Sequence, residues 1–435
     1  MKGFYLNIFS LCCTLLCAAV WQHAIGQTNG PIPAYPPLFE LNTIVPNSAL
    51  FGEEKIGLVL SGGGARGLAH IGVIKALEEN NIPIDFVTGT SMGAIIGAMY
   101  ATGLTPAQME YMVKSEQFST LAKGGLDQQF KFYFKKSDQS ASWITLKMAK
   151  DSITHTSLPT NLINSVAIDF MFMELSARSE AAAKYDFDNL FVPYRCVAAD
   201  IVSKKQVIFS EGHLNEAVRA SATFPFYLKP ITVNGKLLFD GGLFNNFPAD
   251  IMTREFNPSL IIGSNVSSGV AAPKSDDVIS QIKNMLIQRP DSTVVCENGI
   301  LIEPDNDAGT FSFTNTQAIV DSGYSATIAK MPEILKSIRR RVSDEELKEK
   351  RSKYQDNLPE LIFDNVHVLG LDKNQTKYVE NIFKTRGSKQ QTIDDIKPVY
   401  FRVFEDDKIG TIFPIAEYNE NTGLFDLYLT IEKAK

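Results

Sequence analysis

The sequence is poor in the residues that would indicate a disulfide-rich, metal-binding or nucleic-acid-binding protein. Its 435 residues include five cysteines, three of which (Cys12, Cys13 and Cys17) lie near the N-terminus. Cys196 and Cys296 cannot form a disulfide framework, and neither has metal-ligand spacing. The formal net charge is −7, which argues against a globally basic surface for nucleic acid. We therefore predict no metal, no cofactor and no nucleic-acid partner.

The chain also lacks an apolar run long enough for a comfortable transmembrane helix, which needs about 20 residues. Its longest N-terminal run extends only from Ile8 to Val20, after the positive charge of Lys2. Ala24–Gly26 then offers small residues of the kind that signal peptidase requires. We predict that residues 1–26 are a signal peptide and that the protein is exported. An uncleaved anchor is the alternative.

The next part of the chain alternates strands and helices. Residues 27–52 are rich in proline and asparagine and are predicted to be an extended leader. The alternation that follows favours an α/β sheet covered on both faces. Its predicted elements are a strand at Lys55–Leu60, a glycine loop at Gly62–Gly67, a helix at Leu68–Glu79, a strand at Ile84–Thr88, a turn at Gly89–Gly93 and a helix at Ala94–Thr102.

Residues 53–335 are predicted to form one domain around this sheet. Thr105–Asp188 is mostly helical in pattern and is predicted to cap the sheet. Asn234-Gly235 indicates a hairpin turn. The remaining predicted elements are strands at Val192–Ala199, Gln206–Ser210, Ile231–Val233, Leu237–Phe239 and Leu260–Val266, and a helix at Leu214–Ser221.

Residues 336–358 are dense in both signs of charge and are predicted to be a solvated connector helix. Ser343 and Glu346 have the spacing of a capping box. Phosphate or lipid-headgroup binding by Arg339, Arg340 and Arg341 is an alternative role. Residues 359–435 then have the pattern β-α-α-β-β, which predicts a small α+β domain. Its elements are Phe363–Val368, Lys373–Phe383, Thr392–Phe404, Ile409–Tyr418 and Leu424–Ile431.

A candidate nucleophile lies on the predicted turn between the second strand and the second helix. The turn reads Gly89-Thr90-Ser91-Met92-Gly93. A serine on a strained strand-to-helix turn is lifted out of the sheet, and glycines two residues before and after it avoid steric clashes. The following helix directs its N-terminal dipole at the site, which favours developing negative charge.

A serine nucleophile needs a base, and the sequence offers no catalytic pattern around any of its five histidines. Asp240 is the better candidate, because it ends a predicted strand and opens the turn Asp240-Gly241-Gly242. Such a position allows a carboxylate to reach across the carboxyl ends of the strands, where α/β sites lie. By itself, Asp-Gly-Gly is equally compatible with a simple turn.

The glycine loop supplies a third candidate part. Acyl transfer needs backbone N–H groups directed at the oxyanion. Glycines bring such groups close without side-chain obstruction, and Arg66 is placed to hold the loop or to lie near an anionic headgroup. The loop consists of Gly62, Gly63, Gly64, Ala65, Arg66 and Gly67.

Together the glycine loop, the serine turn and the Asp-Gly-Gly turn resemble the patatin-like phospholipases in order and spacing, over roughly Ile56 to Val266. Ala220–Pro225 also resembles the segment that precedes the Asp-Gly motif in that family. The resemblance implies a three-layer α/β/α fold with a mainly parallel sheet. It also implies a Ser91–Asp240 dyad without histidine, with the Gly62–Gly67 loop as oxyanion hole. A lipid acyl ester as substrate and a membrane surface as partner are expected.

The C-terminal pattern is similar to a POTRA module, a periplasmic β-α-α-β-β unit of outer-membrane assembly proteins. That similarity implies a bacterial protein of the periplasm or outer membrane, with an outer-membrane protein as possible partner. A generic α+β domain is the alternative.

Two other functions remain open from the sequence. Gly62-x-Gly64-x-x-Gly67 fits a dinucleotide-binding fingerprint, although Asp85 begins the second strand instead of ending it. A periplasmic interaction module with a silent hydrolase domain is the second. The sequence does not choose between phospholipid, lysophospholipid, acylglycerol and another acyl ester.

Overall fold

The structure, a computed structural model, describes residues 54–126, 161–267, 281, 299–306, 308–384 and 390–434. The predicted signal peptide and leader lie outside these residues, as do His155 and Cys296. The division of the chain into signal peptide, leader, α/β domain, connector and C-terminal domain stays a prediction.

The central sheet has five parallel strands in the order β3-β2-β1-β7-β8. Every residue of β1 is buried, as a strand covered on both faces requires. This sheet confirms the predicted α/β fold with a mainly parallel core. The strands are β1 (Ile56–Leu60), β2 (Phe86–Thr90), β3 (Tyr194–Asp200), β7 (Leu260–Ser264) and β8 (Gly299–Ile302).

Three antiparallel strands extend the sheet beyond β3. They are β4 (Lys205–Phe209), β5 (Ile231–Val233) and β6 (Lys236–Asp240). β5 and β6 pair across Asn234 and Gly235, both with positive φ, so the predicted hairpin is confirmed. β6 pairs with the end of β3, where Asp240 lies opposite Ala198. This pairing brings Asp240 to the carboxyl edge of the parallel strands.

Helices connect the strands along the chain and pack on the sheet. The first predicted helix begins one residue later than expected, at Ala69, because Leu68 ends the 3-10 turn Gly64–Leu68. The second begins two residues earlier than expected, directly after Ser91. The helices are α1 (Ala69–Glu79), α2 (Met92–Ala101), α3 (Pro106–Lys114), α4 (Glu116–Ala122), α5 (Val166–Ala182), α6 (Leu214–Ser221), α7 (Ala249–Phe256) and α8 (Thr316–Ser337).

A connector helix, α9 (Asp344–Asp356), follows and has the predicted capping box of Ser343 and Glu346. It is less solvated than predicted, since Arg351 is buried and pairs with Glu78 of α1. Ahead of it, Arg340 donates two hydrogen bonds of 2.7 Å to the Asp85 carboxylate. These ion pairs hold the connector on the α/β domain and commit Arg340, one of the three candidate headgroup ligands, to a structural contact.

The C-terminal residues form a second sheet in the order β10-β9-β12-β11. The predicted β-α-α-β-β pattern is present, with the two-residue β10 as an addition. The hydrophobic core of this second sheet also includes residues of α5. Phe170 of α5 packs on Tyr400 with ring centroids 4.6 Å apart. The elements are β9 (Ile362–Leu369), α10 (Lys373–Phe383), β10 (Gln391–Thr392), α11 (Ile393–Phe404), β11 (Ile409–Asn419) and β12 (Leu424–Lys433).

Candidate active site

Ser91 occupies a strained turn between β2 and α2. Its φ of 55° and ψ of −122° are rare for a residue with a side chain. A Cβ atom on Gly89 would lie 2.4 Å from the Gly93 carbonyl oxygen, and one on Gly93 would lie 2.3 Å from that of Leu60. Both glycines are therefore sterically required, as the sequence pattern indicated. The strain holds the Ser91 hydroxyl above the carboxyl end of β2.

The Asp240 carboxylate lies against this hydroxyl. Ser91 Oγ donates to Asp240 Oδ2 at 2.6 Å, within the range of a charge-assisted O–H···O⁻ bond. Asp240 Oδ1 accepts from the Gly242 amide at 2.8 Å, and only 1% of the residue is exposed. A Cβ atom on Gly241 would meet the Val197 carbonyl oxygen at 2.2 Å. The Asp-Gly-Gly turn thus fixes the carboxylate from two sides.

The described histidines have other partners. His70 is fully buried between Ser61 O, at 2.9 Å, and Ser264 Oγ, at 2.8 Å. Burial lowers the pKa of His70 to about 4, so the imidazole is neutral near pH 7. His213 pairs with Glu180, and His367 stacks on Tyr428. The basic group in contact with Ser91 is a carboxylate.

The glycine loop lies beside Ser91, but its amides are not equally available. Gly62 N–H donates to Asn246 O at 3.0 Å, and Ala65 N–H donates to Thr310 O at 2.7 Å. Within the described residues, the amides of Gly63 and Gly64 have no hydrogen-bond acceptor. Of the amides predicted to bind the oxyanion, those of Gly62 and Ala65 are therefore engaged within the fold, and those of Gly63 and Gly64 stay candidates. Arg66 is only 9% exposed, and burial lowers the pKa of its guanidinium.

The Met92 amide is a further candidate oxyanion donor. It opens α2, where the first N–H groups of a helix lack intrahelical acceptors, and it has no hydrogen-bond acceptor within the described part of the chain. Gly67 packs against this residue, since a Cβ atom there would lie 2.4 Å from Met92 Cγ. The amide after a nucleophilic serine is a common oxyanion donor on such turns.

Sequence reasoning missed the role of Ser221. Its Oγ accepts from the Ser91 N–H at 3.0 Å and donates to the Val197 carbonyl oxygen at 2.6 Å. Ser221 thereby ties the backbone of the serine turn to β3. The only sequence signal was its place in the Ala220–Pro225 segment, which matched a family pattern but carried no assigned role.

A buried ion pair lies behind Asp240. Arg219 of α6, 1% exposed, donates to Asp169 Oδ1 of α5 at 2.6 Å. Burial raises the pKa of the Asp169 carboxyl, and the Arg219 charge limits that rise. Arg219 also donates to the Thr223 hydroxyl, and Thr223 O accepts from the Asp240 N–H at 2.8 Å. The network holds the segment that positions Asp240.

An apolar groove, part of it open to solvent, runs along α2. Its lining residues on α2 extend from Ile95, one helical turn after Ser91, to Thr102. That stretch covers about 10 Å at the 1.5 Å rise of a helix. α3, α4, α5 and α6 supply the other walls, with Val113, Phe172, Leu175 and Val218 among the lining residues.

The geometry around Asp85 does not favour the alternative of dinucleotide binding. The Asp85 carboxylate accepts from the Ile56 N–H at 2.8 Å and from both terminal nitrogens of Arg340. The Asp85 carboxylate therefore joins the start of the sheet to the connector, and these contacts occupy the oxygens that a ribose hydroxyl would need. Across the described residues, no cluster of His, Cys, Asp and Glu has the arrangement of a metal site.

Residues 58–253 match the family model described as patatin-like phospholipase. Patatin-like phospholipase domain-containing protein 6 of Mus musculus is 32% identical over 217 residues, 49% of this chain and 14% of the mouse protein. An uncharacterized NTE family protein of Mycobacterium bovis is 29% identical over 222 residues, 51% of this chain and 52% of its own length. The chain thus spans about half or less of these relatives. VipD of Legionella pneumophila aligns with a TM-score of 0.38 and 13% identity, over 70% of this chain and 75% of VipD.

Proposed function

We propose, from the premise that this chain contains a patatin-like phospholipase domain, that it hydrolyses lipid acyl esters through an acyl-enzyme on Ser91. Asp240 is the general base in this proposal. The observation that carries it is the 2.6 Å hydrogen bond from Ser91 Oγ to Asp240 Oδ2, on a turn whose strain exposes the hydroxyl.

In the first step Asp240 takes the proton of Ser91 while the serine oxygen attacks the ester carbonyl carbon. Proton removal is needed because a serine hydroxyl is a weak nucleophile at its own pKa. The tetrahedral oxyanion is held by backbone N–H groups of Gly63, Gly64 and Met92. The alcohol then leaves with a proton from Asp240, and an acyl group remains on Ser91.

In the second step a water molecule gives a proton to Asp240 and attacks the acyl carbonyl. The same backbone donors hold the second oxyanion. Collapse releases the fatty acid and returns the proton to Ser91. Each backbone donor of this kind typically contributes about 10²–10³ in rate, so the geometry of the glycine loop matters as much as the dyad.

The apolar groove along α2 supports a long acyl chain as the bound part of the substrate. Its first lining residue on α2, Ile95, is one turn from Ser91, and its walls are mainly aliphatic, methionine and phenylalanine side chains of α2, α3, α4, α5 and α6. Burying methylene groups there contributes about 0.8 kcal/mol for each CH₂. We therefore expect long-chain esters to have lower KM values than butyryl esters.

The test is incubation of the purified chain with a phosphatidylcholine, a lysophosphatidylcholine and a monoacylglycerol, each in butyryl and palmitoyl forms. Free fatty acid is detected by mass spectrometry, and a fluorophosphonate probe locates the reactive residue by peptide mapping. Fatty-acid release with the probe on Ser91 is expected. Release without labelling of Ser91 would assign the nucleophile elsewhere, and no release with any ester would favour the silent hydrolase domain.

Replacing Ser221 with alanine is expected to lower kcat about tenfold to a hundredfold while KM changes little. The lost Oγ frees the Ser91 N–H and the Val197 carbonyl oxygen, so the serine turn shifts relative to Asp240, and small misplacements are costly in rate. Steady-state kinetics on a butyryl ester measures the effect. Ser221→Thr keeps the hydroxyl and should recover part of kcat; equal kcat values for the alanine, threonine and native chains would contradict this role.

The cellular setting rests on sequence prediction. We propose export, guided by residues 1–26, and association of the C-terminal sheet with an outer-membrane protein, as its similarity to a POTRA module implies. Within the described part of the chain, no helix has both the length and the apolar character of a membrane span.

A further inference from the structure

The turn between β3 and β4 extends beyond the carboxyl edge of the sheet, where Ser91 lies. Thr90 pairs with Val197, and Asp240 pairs with Ala198. β3 continues to Asp200, and the turn that follows places Val202 roughly 10 Å beyond the level of Ser91, at about 3.3 Å per strand residue. Lys236, at the start of β6, lies at the same end because Leu238 pairs with Asp200.

This turn exposes apolar side chains to solvent. Val202 is 80% exposed and Ile201 is 40% exposed. Asp200 shapes the turn, since its Oδ1 accepts from the amides of Val202 and Ser203 at 2.9 and 3.1 Å. The Asp200 carboxylate is therefore engaged by the turn itself. Val202 projects from the tip of the turn into solvent, and Ile201 beside it is partly exposed.

A second pair of exposed apolar side chains lies on the same edge. Phe226 is 56% exposed and Leu162 is 59% exposed. They are neighbours, because Leu162 N–H donates to Phe226 O at 2.8 Å. Phe226 follows three residues after Thr223, whose carbonyl oxygen binds the Asp240 amide. Its φ of +64° is costly for a bulky residue, so the backbone holds an aromatic ring outward at an energetic cost.

Exposed lysines flank the first pair of apolar residues, Ile201 and Val202. Lys204 and Lys205 follow Val202 directly, and Lys236 lies at the adjacent hairpin; all three are exposed. Apolar side chains that enter a bilayer interface, with lysines that meet anionic headgroups, are the combination that interfacial binding uses. We define the docking rim as Leu162, Ile201, Val202 and Phe226 with Lys204, Lys205 and Lys236.

We propose that the docking rim binds the surface of an anionic phospholipid bilayer, with the side chains of Val202 and Phe226 entering the interface. This inference rests on the proposed function, because the docking rim lies at the same edge of the sheet as Ser91 and Asp240. Contact there lets a lipid ester move from the bilayer to the dyad with little exposure of its acyl chain to water, which apolar groups disfavour.

The test compares two tryptophan variants of the full chain, Phe226→Trp and Tyr378→Trp. Tyr378 is the matched control, since it is an aromatic residue of α10 that is 62% exposed. Vesicles contain phosphatidylcholine and phosphatidylglycerol with brominated acyl chains, which quench tryptophan at the interface. The two native tryptophans, Trp21 and Trp143, give the same background in both variants. We expect loss of most of the added emission for position 226 and little loss for position 378.

Two further variants test the chemistry of the contact. Val202→Ser combined with Phe226→Asn should lower vesicle hydrolysis about tenfold or more, with unchanged hydrolysis of a soluble butyryl ester. Lys204→Gln with Lys205→Gln and Lys236→Gln should lower partitioning by about fivefold for each lysine at low salt. Leu369→Ser with Tyr378→Ser is the control pair outside the rim, and should behave as the native chain.

The outcomes separate the two proposals. Equal, weak quenching at positions 226 and 378, with soluble ester hydrolysis intact, overturns the rim and leaves the proposed function standing. Quenching at 226 without hydrolysis of any ester supports the rim and overturns the proposed function. Equal binding to vesicles of phosphatidylcholine alone overturns the assignment to anionic lipid.

Discussion

Ser91→Ala is expected to reduce ester hydrolysis by at least about a thousandfold, because removal of a nucleophile eliminates the covalent route. The free energy of unfolding should change by no more than about 1–3 kcal/mol, since the loss is one hydrogen bond to a buried carboxylate. Alanine accepts the same backbone strain at φ 55° as serine does. Hydrolysis of a butyryl ester and a urea titration on the same preparation measure both quantities.

Ser119→Ala on α4 is the matched control for this change and should keep native activity. Asp240→Asn extends the test, because asparagine preserves the acceptor for Gly242 N–H but removes the base. The double variant should be about as active as the less active of the two single variants, since residues that act as one unit are not additive. Multiplication of the two losses in the double variant would show that Ser91 and Asp240 act independently, and the dyad would be wrong.

Arg219→Met is expected to destabilise the protein by about 3–5 kcal/mol, because it leaves a buried carboxylate without its counter-charge. Asp169 is 4% exposed, and its remaining side-chain partner is the Ser165 hydroxyl, at 2.8 Å. The Thr223 hydroxyl and the Lys229 carbonyl oxygen lose a donor as well. Urea unfolding followed by circular dichroism at pH 7 measures the loss.

The pH dependence of this variant distinguishes a buried charge from a packing defect. Without Arg219, burial raises the pKa of Asp169 further above its value in the unfolded chain. A raised carboxyl pKa contributes stability at low pH that is lost as the pH rises through the folded-state pKa. The deficit of Arg219→Met should therefore shrink on going from pH 7 to pH 5, whereas a deficit that stays constant would indicate lost packing alone.

A double replacement completes the test of the ion pair. Asp169→Leu with Arg219→Met removes both charges and is expected to be more stable than Arg219→Met alone, because apolar residues of similar volume often replace a buried pair without loss. If the double variant is the less stable of the two, the contribution of Arg219 comes from its bonds to Thr223 and Lys229 instead.

The sequence by itself determined the parts of this protein that depend on local backbone geometry. Gly89 and Gly93 were predictable because a Cβ atom at either place would overlap a carbonyl oxygen, and only glycine avoids that. The hairpin at Asn234-Gly235 and the capping box of Ser343 and Glu346 are likewise short-range, since each needs a few neighbouring residues. The alternation of strands and helices predicted the α/β sheet, and the resemblance to the patatin-like phospholipases implied that this sheet is mainly parallel.

The tertiary structure decided everything that depends on residues far apart in the chain. Asp240 reaches Ser91 because β6 pairs antiparallel with β3, and no local pattern encodes that pairing. Ser221, Asn246 and Thr310 contact the serine turn or the glycine loop from distant segments, so their roles were invisible beforehand. Asn246 and Thr310 accept the backbone N–H groups of Gly62 and Ala65, whereas those of Gly63 and Gly64 have no acceptor among the described residues. A backbone N–H is available to a ligand only where no neighbouring group in the fold accepts it.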